Sequence, residues 1–362
     1  MLLRKFLAAI LLLPALCAPV VSHAGPQYTV SFLPDIDFVP YGMNNAGQIA
    51  GVLGRARALH TMLYENGVVT DLGVFGFRHS YARAISEDGA IAGSNMLASG
   101  EEHAYLYQDG SLLDLGANTA GHGINLRSEV VGSIQTATGS TSFVYSGGQV
   151  TALGNLGTGQ EGSAFDINDH GAIVGASALA PDQAARHPYL YSGGVLHDLG
   201  TLAGGATNGA TAINNAGQVA GYSQGADGFM HAFLYDGGVM RDLGGLNRAE
   251  LEVGDINEHG TLVGTASTNF SNRIPFVSVD NALVDLNRLI DPASGWQIDS
   301  AYANNDLGQI VGFGCRGGEC GLVLLDLATA VPEPATAWLL VPGLLMLAGA
   351  RRRGHARSPA LA

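Results

Sequence analysis

The strongest constraint on the fold of this chain is a short sequence motif, called the phrase below, that recurs seven times. It reads Gly-Met-Asn-Asn-Ala-Gly-Gln-Ile-Ala-Gly at 42–51 and Ala-Ile-Asn-Asn-Ala-Gly-Gln-Val-Ala-Gly at 212–221. Successive closing glycines are 42, 39, 43, 46, 43 and 48 residues apart. Such a period, about 40–45 residues, is typical of propellers built from four-stranded blades. The closing glycines are Gly51, Gly93, Gly132, Gly175, Gly221, Gly264 and Gly312.

The fifth repeat shows how one unit is built. Ala210–Ile213 and Gln218–Tyr222 are β-prone runs joined by an Asn-Asn-Ala-Gly turn. His231–Tyr235 and Val239–Leu243 are two further runs, joined by an Asp-Gly-Gly hairpin turn. Each repeat therefore predicts four antiparallel strands.

The two ends of the array predict how it closes. Tyr28–Phe32 reads as a strand ahead of the first phrase, whereas the last repeat lacks its fourth strand. The N-terminal strand would complete the last blade, and such closure removes exposed sheet edges. We expect an all-β propeller of seven four-stranded blades over residues 25–330. The alternative is an open or differently closed β array.

The third and fourth strands carry a family resemblance. His-Ala-Phe occurs at 231–233, and Asp-Leu-Gly closes the fourth strand at 71–73, 114–116, 198–200 and 242–244. Over about residues 28–327 the chain resembles the HAF-repeat family of extracellular bacterial proteins. The segment Leu286–Trp296 is similar to that family's insertion in the last repeat. The resemblance implies an extracellular setting and brings no established biochemical activity.

The same strands repeat a histidine and an aspartate eleven positions apart. A catalytic His–Asp pair usually occurs once, beside a nucleophile. A pair in each of four repeats instead predicts a structural hydrogen bond between the third and fourth strands. Thr141 and Ala152 replace the pair in the third repeat. The four pairs are His60 with Asp71, His103 with Asp114, His187 with Asp198, and His231 with Asp242.

Residues 1–24 have the pattern of a signal peptide. Arg4 and Lys5 precede an apolar stretch, and Ser22-His23-Ala24 places small residues where a signal peptidase reads them. We expect cleavage between Ala24 and Gly25, and therefore export.

The C-terminal segment, residues 331–353, resembles a PEP-CTERM sorting signal. Pro332, Glu333 and Pro334 precede an uncharged stretch at 335–350, followed by the basic cluster and a cytoplasmic tail at 354–362. The resemblance implies processing by an exosortase-type protease. The precursor would be held in the inner membrane by a short transmembrane helix, then moved to the outer surface or the medium. A permanent tail anchor is the alternative. The basic cluster is Arg351, Arg352 and Arg353.

The net charge limits the partners that the sequence allows, and the two cysteines of this body predict a disulfide. Residues 25–334 contain 31 acidic residues, 11 arginines and no lysine, a net charge of −20. Such a body repels nucleic acid and anionic lipid, so membrane contact is expected only through the C-terminal helix. Cys315 and Cys320 would form a disulfide in an oxidising compartment. With no second ligand pair nearby, they do not predict a zinc site.

Catalytic and metal sites have little support in the sequence. Asp166 and Asp255 lie near first strands, which line a propeller channel, and paired carboxylates suit glycosidase or lyase chemistry. They occur in only two repeats and outside any recognisable catalytic motif. The Asp-His-Gly turn at 169–171 and the Glu-His-Gly turn at 258–260 offer too few oxygen ligands for calcium. We therefore predict no enzyme activity, no cofactor and no metal.

The sequence predicts an exported, surface- or matrix-associated binding or scaffold protein. Its partner would be the cell's own exopolysaccharide, contacted by variable loops such as Ser94–Glu102, Ala176–Arg186 and Ser223–Met230. Two alternatives remain. One is a polysaccharide hydrolase or lyase that uses Asp166 and Asp255. The other is a structural coat protein without a ligand.

Overall fold

The described residues form seven antiparallel sheets of four strands each. The computed structural model describes residues 27–33, 38–181, 185–203, 205, 207–269 and 272–328. The strands are β1 Tyr28–Phe32, β2 Val39–Met43, β3 Ile49–Arg55, β4 Ala58–Glu65, β5 Val68–Gly73, β6 His79–Ile85, β7 Ile91–Met96, β8 Glu102–Gln108, β9 Ser111–Ala117, β10 Thr119–Ile124, β11 Val130–Thr136, β12 Gly139–Ser146, β13 Gln149–Gly154, β14 Gly162–Ile167, β15 Ile173–Ala178, β16 Arg186–Ser192, β17 Val195–Asp198, β18 Asn208–Ile213, β19 Val219–Gln224, β20 Met230–Asp236, β21 Val239–Gly244, β22 Glu250–Ile256, β23 Leu262–Asn269, β24 Asn272–Val279, β25 Ala282–Asp285, β26 Gln297–Asn304, β27 Ile310–Arg316 and β28 Glu319–Leu327.

Six blades use four consecutive strands, and the seventh is shared between the two ends of the array. Blade 1 is β2–β5, blade 2 is β6–β9, blade 3 is β10–β13, blade 4 is β14–β17, blade 5 is β18–β21 and blade 6 is β22–β25. Blade 7 has the order β26-β27-β28-β1, and its outermost pair joins Tyr28 to Leu327. The predicted propeller of seven four-stranded blades is confirmed.

The predicted signal peptide and C-terminal sorting segment lie outside the described residues. Among the described residues, no helix has the length and apolar character that a membrane crossing requires. Two short 3-10 turns, Leu286–Arg288 and Pro292–Ser294, connect blades 6 and 7.

The closing glycine of each phrase is required by close packing within its blade. A Cβ atom at any of the seven would lie 1.8–2.3 Å from a carbonyl oxygen of the neighbouring innermost strand. In five blades an aromatic side chain of the third strand also covers the glycine, within 3 Å of that Cβ position. These fully buried rings are Tyr105, Phe143, Tyr189, Phe233 and Phe276.

The aromatic rings form the cores between blades. Phe143 of blade 3 packs with Ala92 and Ala104 of blade 2, and Phe276 of blade 6 packs with Ala220 of blade 5. Full burial of one such side chain stabilises the fold by about 1.5–3 kcal/mol. The phrase and the third strand are therefore complementary, because the glycine leaves the space that the ring fills.

The repeated His–Asp pairs are hydrogen-bonded. In each pair the aspartate also accepts a hydrogen bond from the N–H of the glycine two positions after it. His231 Nδ1 lies 2.8 Å from Asp242 Oδ1, and the same oxygen accepts a 2.7 Å bond from the Gly244 N–H. Gly244 has a φ of 82°, a conformation that favours glycine. The pairs of blades 1, 2 and 4 have the same arrangement. They join the two outer strands of a blade, so each is a structural contact.

A disulfide joins Cys315 of β27 to Cys320 of β28, directly across the hairpin from one another. Beside this hairpin, the Arg316 guanidinium lies 4.6 Å from the centre of the Trp296 ring. The Trp296 ring also contacts Phe32 of β1. The contact between Trp296 and Phe32 helps to hold the N-terminal strand in the last blade.

Candidate functional site

The phrase asparagines link neighbouring blades around the central channel. In six blades the asparagine at the start of the turn donates its side-chain N–H to the backbone carbonyl of the equivalent residue in the next blade. We call this set the inner clasp, and it passes from blade 7 back to blade 1. Its donor–acceptor pairs and N···O distances are Asn44–Ser86 3.0 Å, Asn125–Asn168 3.0 Å, Asn168–Asn214 3.0 Å, Asn214–Asn257 3.0 Å, Asn257–Asn305 3.0 Å and Asn305–Asn44 3.3 Å.

The next residue of each turn forms a second ring, which we call the outer clasp. Here the backbone N–H of one blade donates to the side-chain oxygen of the next blade. The pairs are Asn45–Glu87, Leu126–Asp169, Asp169–Asn215, Asn215–Glu258, Glu258–Asp306 and Asp306–Asn45. The Asp-His-Gly and Glu-His-Gly turns considered for calcium supply two of these acceptors, so their acids have a structural role.

Both clasps are interrupted at the same place, between blades 2 and 3. Ser86 replaces the asparagine of the inner clasp, and its hydroxyl bonds within its own turn, to Asp88 and Ala90. Leu126 replaces the acidic or amide residue of the outer clasp, so it offers Glu87 no side-chain acceptor. This seam therefore lacks both clasp hydrogen bonds, which each of the other six seams has.

Completing the inner clasp should stabilise the protein. We expect Ser86→Asn to donate to the Asn125 carbonyl while its oxygen still accepts the Ala90 N–H, a gain of about 1 kcal/mol. Urea unfolding measures the difference. Ser86→Ala is the control, since it removes the hydroxyl without adding a donor and should destabilise the protein. A variant Ser86→Asn no more stable than the parent would contradict this role of the clasp.

A cavity of about 210 Å³ opens where the clasps meet the channel. Each innermost strand has a β-bulge just before its phrase, between residues such as Pro40 and Gly42 or Ala82 and Ala84. In six blades the extra residue of this bulge lines the cavity. Bulges often re-aim side chains near functional sites. The six residues are Tyr41, Arg83, His122, Phe165, Thr211 and Gly254.

These bulge residues make the channel asymmetric although the fold is repetitive. The Arg83 guanidinium lies 4.9 Å from the centre of the Tyr41 ring, and the rings of His122 and Phe165 are 5.8 Å apart. His122 Nδ1 is 2.8 Å from the Ala164 carbonyl, and burial lowers the pKa of the histidine. One side of the cavity is therefore aromatic, with a single guanidinium and a neutral imidazole.

Asp166 and Asp255 also line this cavity. Asp166 accepts backbone N–H groups from Ile167 (2.8 Å) and from Ile213 of the next blade (2.9 Å). Asp255 makes the equivalent bonds to Ile256 and to Asn304 of blade 7. The remaining five blades have glycine or alanine at this position: Gly42, Ala84, Gly123, Ala212 and Ala303.

Burial changes the acid strength of both groups. It raises the pKa of Asp166 to about 7, although two N–H donors oppose the shift and the charge of Asp255 adds to it. Burial likewise raises the pKa of Asp255 to about 6, with Asp306 and Glu87 adding to the shift. Near neutral pH the cavity thus contains carboxyl groups that can bind or release protons.

Asn304 is the third departure from the repeat. Methionine or isoleucine occupies its position in the other six blades: Met43, Ile85, Ile124, Ile167, Ile213 and Ile256. Asn304 is 5% exposed, lines the cavity and donates through Nδ2 to the Thr261 carbonyl. Its Oδ1 is buried without a hydrogen-bond partner among the described residues. A buried acceptor of this kind needs a water or ligand donor to offset its desolvation.

A second cavity of about 200 Å³ shares Tyr41 and Gly254 with the first. Its lining is more apolar and includes Val39, Pro40 and Val253. The channel therefore has a polar acidic cavity next to a smaller apolar one.

The sequence located part of this site. It named Asp166 and Asp255, which the fold brings into one cavity, whereas the His–Asp pairs lie on outer strands. It missed Arg83 and Asn304, which a blade-by-blade comparison of phrase positions would have revealed. Among the described residues, no group of three or more His, Cys, Asp or Glu side chains could hold a metal ion.

Comparison with known proteins identifies the fold alone. No protein-family model and no curated protein matches the chain. The β-propeller domain of the Trilobed protease from Pyrococcus furiosus matches with a TM-score of 0.55 and 8% identity, over 85% of this chain and 97% of that one. A puromycin-hydrolyzing peptidase from Mycobacterium tuberculosis matches with a TM-score of 0.53 and 14% identity, over 84% of this chain and 52% of the peptidase. An acylaminoacyl peptidase from Pyrococcus horikoshii matches with a TM-score of 0.50 and 12% identity, over 79% and 50%.

These matches correct one prediction. The sequence predicted that the chain is not an enzyme, because it lacks a familiar catalytic motif. That prediction is wrong, since the structures that share its fold include a protease domain and two peptidases. The chain spans about half the length of those two peptidases. What these structures establish for this chain is a propeller of a kind that occurs in enzymes.

Proposed function

We propose that this chain is an exported, surface-associated propeller that binds a saccharide unit of an extracellular polymer in its central channel. The observation that carries the proposal is the asymmetric cavity, because the bulge residues that line it differ from blade to blade. Export, sorting by an exosortase-type protease and HAF-repeat membership rest on the sequence resemblances and belong to the same proposal.

The cavity chemistry favours a polyhydroxylated ligand. Ligand sites are concave and combine aromatic surface with a few placed polar groups. Tyr41 is 40% exposed, and Thr211, which carries a hydroxyl, and Asn214 also line the cavity. Asp166 and Asp255 retain acceptor capacity beyond their two backbone bonds each. Sugar hydroxyls can meet such acceptors while the less polar ring face stacks on tyrosine.

Binding to purified exopolysaccharide fragments tests the proposal. The protein covering residues 25–334 should bind fragments from its own cell surface by calorimetry, and Tyr41→Ala should weaken binding about tenfold or more. Val68→Ala is the control, since Val68 is an exposed residue of the outer strand β5. Equal binding by both variants, or none by the parent, would refute a channel site.

A second function is favoured by the two carboxyl groups. Glycoside cleavage needs one carboxyl that holds its proton near neutral pH and one that acts as a base. A carboxyl with a pKa of about 7 and another with a pKa of about 6 line the same cavity. If the protein cleaves its ligand, reducing or unsaturated ends will appear and will be lost in Asp166→Asn and in Asp255→Asn. Product formation that persists in both variants would exclude this pair.

A further inference from the structure

We propose that His231 is a pH-sensitive latch on the loop at 225–229, which it holds while the imidazole carries two protons and releases when one is lost. The loop connects β19 to β20, so it lies at the end of blade 5 opposite the phrase turn. It belongs to the segment Ser223–Met230, which was named above as a candidate for contact with a partner. The latch would make the conformation of that surface depend on pH.

The imidazole of His231 lies between two carboxylates from different elements. Its Nδ1 lies 2.8 Å from Asp242 Oδ1 on β21, and its Nε2 lies 3.2 Å from Asp227 Oδ1 in the loop. A neutral imidazole has one N–H and one lone pair, so it can donate to only one of these carboxylates. Both contacts are favourable only when both ring nitrogens are protonated.

Glycines on two sides allow close packing against the imidazole ring. A Cβ atom at Gly225 of the loop would lie 2.7 Å from His231 Cε1, and one at Gly245, just after β21, would lie 3.0 Å from His231 Cδ2. These neighbours carry no charge. Among the described residues, Asp227 and Asp242 are the charged groups within ion-pair distance of the ring. The protonation of His231 is therefore governed by these two carboxylates and by burial.

Asp227 couples the latch to the conformation of the loop. The carboxylate oxygen that faces His231 also accepts a 3.1 Å hydrogen bond from the Phe229 N–H. The loop is closed by a 2.8 Å bond from the Gly225 N–H to the Phe229 carbonyl. Arg248, in the connection to blade 6, faces the same loop, with its guanidinium 5.0 Å from the centre of the Phe229 ring. Release of Asp227 would remove the ion pair that joins this turn to β20.

Other blades show that the loop carboxylate is not part of the repeat. In blade 1, His60 bonds through Nδ1 to Asp71 in the same way. The turn beside it instead carries Arg55, which pairs with Asp71. In blade 2, His103 Nε2 lies 3.8 Å from Glu101 of the corresponding loop, a longer and weaker contact. Blade 5 therefore has the complete arrangement, and blade 1 is its natural control.

The balance of burial and charge determines when the latch opens. Burial lowers the pKa of His231, but the contacts with Asp242 and then Asp227 outweigh burial and raise it above its ordinary value of 6.5. The stabilising contact is therefore fully present below pH 6.5 and is lost as the pH rises through the raised pKa. The hydrogen bond from the Phe229 N–H lowers the pKa of Asp227, so this carboxylate stays charged in mildly acidic solution. The loop should be held near pH 5.5 and released well above neutral pH.

Hydrogen exchange read by mass spectrometry tests the latch on the protein covering residues 25–334. Peptides that span 223–230 should lose protection by at least about threefold between pH 5.5 and pH 8.5, after correction for the intrinsic exchange rate. Peptides that span the turn at 55–58 are the internal control, because His60 has no loop carboxylate, and their protection should change less. The salt concentration is kept low, since salt screens the exposed carboxylate of Asp227.

Asp227→Asn is the matched variant, because its amide oxygen can still accept the Phe229 N–H while the charge is removed. Its loop should exchange rapidly at both pH values, and an NMR titration should show a lower pKa for His231 than in the parent. His231→Gln should also leave the loop unprotected at both pH values, and its spectrum identifies the His231 signal. Asp109→Asn, at an exposed hairpin turn of blade 2, is the charge-matched control and should behave like the parent.

Each result either supports or overturns the latch. Loss of the pH dependence in Asp227→Asn and in His231→Gln, with Asp109→Asn unchanged, would support it. Equal loop protection at the two pH values in the parent would overturn it, as would a pKa of His231 at or below 6.5. A pH dependence that survives in Asp227→Asn, or that disappears in Asp109→Asn as well, would also overturn it.

Discussion

Gly221→Ala should destabilise the propeller by more than about 3 kcal/mol. The added Cβ would lie 2.1 Å from the Gly209 carbonyl oxygen and 2.6 Å from the Phe233 ring. The backbone and the fully buried ring cannot both move aside unless the strands of the blade separate. Overpacking of a dense core costs about 1–3 kcal/mol even without a backbone clash. Urea unfolding followed by circular dichroism measures the loss.

Gly54→Ala is the matched control for this prediction. Gly54 also lies in a second strand, β3, but the nearest atom to its Cβ position is a Leu59 methyl at 3.7 Å. We expect a change of about 0.5 kcal/mol or less, or a slight stabilisation from the reduced freedom of the unfolded chain. Similar losses at Gly221 and Gly54 would mean that close packing is not why the phrase ends in glycine.

Stability should fall as the pH rises from about 4 to about 7. Burial raises the pKa of Asp166 to about 7 and that of Asp255 to about 6, from an ordinary value of 3.8. Well below pH 3.8 both groups are protonated in the folded and the unfolded chain. Between pH 4 and 7 the unfolded chain loses these protons first, so the free energy of unfolding decreases by an amount on the order of 6 kcal/mol for the two groups together.

The variant Asp166→Ala/Asp255→Ala should remove most of this dependence, because alanine occupies the position in blades 2, 5 and 7. The variant should be more stable than the parent at pH 8, and the two proteins should be closer in stability at pH 4. Asp109→Asn/Asp280→Asn is the charge-matched control, since both aspartates are exposed in hairpin turns. Unfolding midpoints at pH 4, 6 and 8 give the comparison. A parent whose stability rises from pH 4 to 7 would contradict the assignment.

The sequence predicted the blades well because each one is specified locally. The glycine spacing determines the number of blades, and the turn within each phrase joins its first two strands. The unpaired Tyr28–Phe32 strand and the incomplete last repeat were enough to predict the closure. The turns depend on residues that are neighbours in sequence. The closure follows because an unpaired sheet edge is unfavourable.

The channel was harder to predict for a physical reason. Alternation along a strand assigns side chains to two faces, but a bulge adds one residue and resets that alternation. Without knowledge of the bulge, Arg83 cannot be assigned to the channel. The inner clasp was also hidden, since its bonds join residues 42–48 positions apart along most of the ring. Asp166 and Asp255 were found because the first strands of propeller blades are expected to line the channel.

The exclusion of enzyme activity failed because it relied on the absence of motifs. Motifs describe residues close in sequence, whereas a propeller builds its channel from seven distant strands. Asp166 and Asp255 are 89 positions apart and still line one cavity. In such a fold, chemistry is better sought in the departures from the repeat than in any continuous segment.

The pairing of β1 with β28 also bears on how the protein folds. Blades 1 to 6 each consist of consecutive strands and can pair as soon as their own residues are available. Blade 7 must bring Thr29 to Asp326, residues 297 positions apart, and contacts over such separations form slowly. Until then, β2 and β26 lack their final neighbours, and β28 has an unpaired edge that invites association with other chains. Ring closure is therefore the step at which we expect this protein to partition between its native state and aggregation.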